Sequence, residues 1–101
     1  MDKTIKTYIG FRINAKDTAE GVLKALEKNT AAETIELHAR GKAISRAIDV
    51  LEILKRKLNI NKSDIQANTA KVTNQNGHLV DTSEIIISLP CQKTTKQEIS
   101  P

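Results

Sequence analysis

The pattern of apolar residues predicts an α+β fold: a two-layer sandwich with one mixed sheet and two helices on one of its faces. Three observations carry that prediction. Some segments alternate apolar and polar residues at strand period. Two others repeat their apolar residues at helical spacing. Asn76-Gly77 marks a hairpin in the last third of the chain. The order is therefore β-α-β-α-β-β, and the right-handed crossover of β-α-β units places both helices on the same side of the sheet.

Residues 4–14 read as the first strand, because Ile9, Phe11 and Ile13 alternate with Gly10 and Arg12. A short polar connection, Asn14 to Asp17, follows. Asp17 and Glu20 have the spacing of a capping box, so the first helix is expected to start there. Val22, Leu23, Ala25 and Leu26 form its apolar stripe, and it ends at Asn29-Thr30. Thr34 to Arg40 is the second strand, with Ile35, Leu37 and Ala39 on one face, and Gly41 breaks it. The second helix runs from Lys42 to Leu58, and Ile44, Ala47, Ile48, Leu51, Leu54 and Leu58 make its buried stripe. Ile65–Thr73 is a weak polar strand. Asn74 to Gly77 supplies a tight turn, and Leu79–Leu89 returns as the last strand before Pro90. Residues 1–90 are expected to form one domain and residues 91–101 a disordered tail.

Composition narrows the function. With one Phe, one Tyr and no Trp, the core has to be aliphatic, and a reader that stacks bases on aromatic platforms is not expected. A net charge of +4 points to nucleic acid only if the cations cluster. The lone Cys91 suits a reducing interior. No apolar run reaches the roughly 20 residues of a membrane helix, and the charged start of the chain does not resemble a signal peptide, so no membrane partner is expected. His38 and His78 lie far apart in sequence, and no spacing suggests a metal site or a nucleophile–base pair. The reading is a non-enzyme without cofactor or metal.

The densest chemistry lies in Arg40-Gly41-Lys42-Ala43-Ile44-Ser45-Arg46. A glycine where a strand turns into a helix exposes helix-start amides, which favour an anion. Lys42 and Arg46 share a side of the helix, and Arg40 comes from the strand end. The competing reading is a solvated helix face with ordinary charges. Arg12 and Lys16 favour the patch, since the loop after the first strand opens at the same sheet edge. Val50 and Ile53 lie off the expected stripe of the second helix and suggest a face covered by another subunit; scattered surface apolarity is the alternative.

The segment Ala39–Val50 (Ala-Arg-Gly-Lys-Ala-Ile-Ser-Arg-Ala-Ile-Asp-Val) resembles the signature of the Alba family of archaeal chromatin proteins, and the likeness extends from about Ile9 to Leu89. The resemblance implies a sheet with two helices like the C-terminal domain of a bacterial translation initiation factor. It also implies a dimer, and binding of double-stranded DNA, and often RNA, with little sequence preference. The family's basic pair after the first strand would fall on Ala15 and Lys16, leaving one charge. Its Arg-Gly-basic motif is kept in Arg40-Gly41-Lys42 and its next cation in Arg46. The hairpin arm has His78 and Asp81 where relatives carry arginines, with Lys71 its one clear cation. Leu58 replaces an aromatic used between dimers.

Residues and resemblance together lead to the following expectations. Arg12, Lys16, Arg40, Lys42 and Arg46 hold phosphates, helped by Asn14 and the Gly41 backbone, with Lys71 and His78 on the arm. Val50, Ile53 and Leu58 line a dimer interface, with a second copy or with a related chain. Lys16 is open to acylation. The partner is double-stranded DNA on the chromosome, in the cytoplasm. An RNA-binding role in processing or translation, and a protein-interaction module without nucleic acid, are the alternatives.

Overall fold

The computed structural model describes residues 3–91. Its elements are β1 (Thr4–Tyr8), α1 (Ala15–Lys28), β2 (Thr34–Arg40), α2 (Ala43–Leu58), β3 (Asp64–Thr73) and β4 (Leu79–Pro90). They form a four-stranded mixed sheet in the order β1-β2-β4-β3, with β1 parallel to β2 and the other neighbours antiparallel. Both helices pack on one face. There Ile35 and Leu37 of β2 and Ile87 and Leu89 of β4 are fully buried against Val22 of α1 and Val50, Leu51 and Leu54 of α2. The expected architecture and element order hold.

β1 is shorter than the alternation of Ile9, Phe11 and Ile13 suggested. Its pairing ends at Tyr8↔His38, and one further bond, from the Ile9 amide to the His38 carbonyl at 2.8 Å, closes it. The chain then folds into a turn in which the Ile13 amide reaches the Gly10 carbonyl. Ile9 is buried, whereas Phe11 and Ile13 stay 46% and 54% exposed. The core does not extend under these last two, so their alternation has nothing to bury and the strand stops.

The start of α1 is also corrected. Asn14, not Asp17, caps the helix: its Oδ1 accepts from the Asp17 amide at 2.7 Å and its backbone is extended. Asp17 sits in the first turn, where its charge complements the helix dipole.

α2 is rotated relative to the expected stripe. Its buried residues are Ala43, Ala47, Val50, Leu51 and Leu54, while Ile44, Ile48, Ile53 and Leu58 are only half-buried. Two alanines in the first half of the buried line, Ala43 and Ala47, let the helix backbone approach the sheet, which brings Val50 into the protomer's own core. Val50 is 0% exposed, so its assignment to a subunit interface is withdrawn. The helix ends at Asn59 in the left-handed region, with the Ile60 amide bonded back to the Lys55 carbonyl and Ile60 buried beneath the last turn.

The pairing of β2 with β4 stops at Arg40↔Glu84, but the β3–β4 ladder runs on from Thr69↔Ser83 to Thr73↔Leu79 without a third strand. This protruding arm gives the molecule its 58 Å long axis. Its tight turn falls at Asn74 to Gly77, where the sequence signals it. Gln75, Asn76 and Gly77 make a three-residue loop in which Gly77 takes the positive φ (82°) and the Asn74 side chain accepts from the amides of Asn76 and His78. At the other end, Cys91 is not free tail: it packs against the core and its amide donates to the Glu33 carbonyl at 2.8 Å. The rest of the expected tail, residues 92–101, lies outside the described residues.

Candidate nucleic-acid interface

The loop after β1 and the β2–α2 corner meet at one end of the sheet, as their order in the chain requires. The link between them is Arg46 on the first turns of α2, whose Nη1 donates to the carbonyl of Ile13 in the β1–α1 loop. Phe11 makes the second link. The Arg12 guanidinium lies 5.5 Å from its ring centroid and the Lys42 ammonium 5.6 Å, both within cation–π reach. Two cations from separate elements are thus gathered around one half-exposed ring. Among the described residues, no carboxylate pairs with Arg12, Lys16, Lys42 or Arg46.

Arg40 is held differently. It is the register partner of Glu84, and its Nε donates to the Glu84 carboxylate at 3.0 Å. The guanidinium side chain is still 57% exposed, and neither Nη group bonds to a protein partner among the described residues. Its charge is therefore partly offset while its outer donors are left for an anion.

Gly41 serves the site through shape. Its φ is +51°, and a Cβ placed on it would lie 3.3 Å from the Thr82 hydroxyl. Its amide donates to the Ser83 carbonyl at 2.9 Å and its own carbonyl accepts from Ile44. The Gly41 backbone, expected to help hold phosphate, is engaged in tying the corner to β4 and to the first turn of α2. Lys42 occupies the N-cap position of α2 with no side-chain cap, so its ammonium stands at the positive end of the helix.

Three other expectations shift. Lys16 is not in a loop but exposed in the first turn of α1, so the loop after β1 carries Arg12 as its cation. The Asn14 side-chain oxygen is committed to the helix cap, and its Nδ2 donates to Asp17 at 3.3 Å. On the arm, Lys71 is bound to Asp81 directly across the ladder at 2.6 Å, and His78 lies exposed at the end of the turn. The structure thus brings Arg12 and Lys42 to Phe11, ties Arg46 to the same loop, sets Arg40 with Phe11 on one cleft, puts Lys16 on the first turn of α1, and leaves Lys71 and His78 on the separate arm.

Sequence reasoning missed Phe11, Tyr8 and Glu84. Tyr8 is 70% exposed and its ring lies 5.0 Å from that of His38, whose Nε2 is 3.0 Å from the Glu36 carboxylate. Tyr8, Phe11, His38 and Arg40 border an open cleft of ≈ 530 Å³, with the buried Ile9 and Ala39 also lining it. The placement of Tyr8 and Phe11 on either side of Gly10 was a readable signal, but the same residues fit a strand pattern equally well.

A family model described as Alba matches residues 5–73, from the second residue of β1 to the end of β3, which takes in the β1–α1 loop and the β2–α2 corner. The chain belongs to the Alba family. Over 63 residues it is 35% identical to the DNA/RNA-binding protein Alba 1 of Archaeoglobus fulgidus, a stretch covering 59% of this chain and 71% of that protein. Among solved structures, Alba from Thermoplasma volcanium superposes with a TM-score of 0.71 at 28% identity, covering 84% of this chain and 98% of the other. ALBA1 from Trypanosoma brucei shares the fold at a TM-score of 0.63 and 16% identity, covering 92% and 73%. Among the described residues of this Alba chain, no helix is long and apolar enough to cross a membrane, and no group of three or more His, Cys, Asp or Glu is placed to hold a metal.

Proposed function

We propose that this Alba-family chain binds nucleic acid through the phosphate backbone, with little dependence on sequence, using Arg12, Lys42, Arg46 and the outer donors of Arg40, with Lys16 at the margin. One observation carries the reading most: Lys42 and Arg12 gather around Phe11 from different elements while unpaired with any described carboxylate. Cations without carboxylate partners, held at a helix start, suit phosphates and not bases. The name of the Archaeoglobus relative, a DNA/RNA-binding protein, agrees with that chemistry. Asn14 and Gly41 frame the site by capping α1 and shaping the corner.

Double-stranded DNA on the chromosome, in the cytoplasm, is the ligand this reading favours, bound by a dimer of identical or related chains. Half-buried Ile53 and Leu58 of α2 remain in the proposed dimer contact. They are joined by Ile65 and Leu79, large apolar residues that the protomer leaves exposed on the helix-bearing face of β3 and β4. RNA is the second reading. It is favoured by the arm, where Lys71 is engaged by Asp81 and gives little free charge to follow a DNA groove. Competition between duplex DNA, duplex RNA and single-stranded RNA at fixed salt separates them: stronger retention of duplex DNA supports the first, and preferential retention of RNA the second.

Lys16 is the proposed acylation site, being exposed at the start of α1 and unpaired among the described residues. Lys16→Gln should weaken binding modestly and uniformly; equal affinity for the two forms would remove Lys16 from the interface.

A further inference from the structure

The composition contains two phenyl-type rings, Tyr8 and Phe11, and a chain short of aromatics is expected to bury them. Both are instead exposed, at 70% and 46%, and both border the same cleft beside the cation cluster. From this we infer that the cleft takes one unpaired nucleobase, stacked on Tyr8, from a single-stranded DNA or RNA segment whose phosphates lie on Arg12, Lys42 and Arg40. The inference rests on the phosphate-binding reading above and adds to it a ligand class: strands with unpaired bases, besides duplex.

Three features fit a base. The Tyr8 ring is held by its neighbours, because His38 packs against it at 5.0 Å and Glu36 fixes the His38 imidazole. A ring already ordered loses little freedom on binding. The cleft, at ≈ 530 Å³, lies within the range of small-ligand sites and is lined by both apolar and polar groups. Its rim is also continuous with the charges. Arg40 borders the cleft itself, and Phe11, which lines it, holds Lys42 and Arg12 within 5.6 Å and 5.5 Å of its ring. A base on Tyr8 would therefore keep its flanking phosphates within reach of cations. Stacking on an exposed ring beside a basic groove is how single strands are held without sequence readout. A base locked in a duplex presents no free face to Tyr8.

Tyr8 is the chain's one tyrosine and there is no tryptophan, so intrinsic emission reports on this cleft alone. The test uses the full chain with a short oligodeoxyadenylate, an abasic oligomer of the same phosphate count, and a duplex of matched base content as the control for absorption. Quenching of Tyr8 emission is expected with the oligodeoxyadenylate only. Its affinity, read by anisotropy of a labelled strand, should exceed that of the abasic oligomer by about five- to tenfold. Tyr8→Leu should abolish that advantage and leave duplex binding unchanged, and Tyr8→Phe should restore it. Equal affinity for the two oligomers, without selective quenching, overturns the base pocket and leaves the phosphate reading standing. Failure of all three ligands to bind at low salt overturns both.

Discussion

Asn14 was a candidate for phosphate contact by its position, yet its side-chain oxygen closes the first turn of α1 by accepting from the Asp17 amide at 2.7 Å. Loss of a cap of this kind costs about 1 kcal/mol. Asn14→Ala should therefore lower the stability measured by urea unfolding by that amount while the folded protein keeps its affinity for duplex DNA; reduced affinity at unchanged stability would return Asn14 to the interface. Glu84 shows the opposite case, a carboxylate that weakens a cation. Removing its charge frees Arg40, so Glu84→Gln should tighten duplex binding by roughly two- to fivefold at low salt, the scale of an exposed ion pair. Weaker binding would mean that Glu84 instead orients Arg40 for its ligand. The types and spacing of Arg40, Lys42 and Arg46 were legible in the sequence. Pairing across strands was not, because Glu84 lies far along the chain from Arg40 and only the β2–β4 register brings them together.

At the scale of the elements, burial decided what periodicity alone left open. β2 runs to the residue its pattern predicts, since Ile35, Leu37 and Ala39 alternate over a real core. The same period in Ile9, Phe11 and Ile13 ran past the end of that core and failed. On α2 the larger isoleucines, 44 and 48, drew the expected stripe toward themselves, whereas the sheet accepted Ala43, Ala47 and Val50 because small side chains allow close approach. The β2–α2 corner depends on Gly41, where a positive φ and the nearby Thr82 hydroxyl both oppose a side chain. Gly41→Ala should cost about 1–3 kcal/mol, measured by urea unfolding. A stability equal to the parent's would mean that the corner relaxes at no cost.

For the whole molecule, the helices leave β3 and the arm bare. Ile65 and Leu79, which share the helix-bearing face of the sheet with Ile87, lie exposed there at 49% and 69%, while Val50 is enclosed within the protomer. If a second subunit covers this side of the sheet, Ile65→Asp should convert the dimer to monomer in sedimentation or light scattering with the fold retained. Val50→Ala should instead cost about 1–3 kcal/mol of stability with no change in mass. A dimer that survives Ile65→Asp would place the contact elsewhere. Stray apolar residues in the sequence suggested a second subunit, whereas the burial of Val50 and the exposure of Ile65 became legible only with the rotation of α2 and the reach of β3.

The arrangement of cations at the β1–α1 loop and the start of α2 is tested most directly by the salt dependence of duplex binding in Lys42→Ala and Arg12→Ala. Each substitution removes one proposed phosphate partner and should reduce the log–log slope of affinity against salt by about one, with affinity falling alike for unrelated sequences. An unchanged slope in both variants would contradict the assignment of these two side chains to the phosphate backbone.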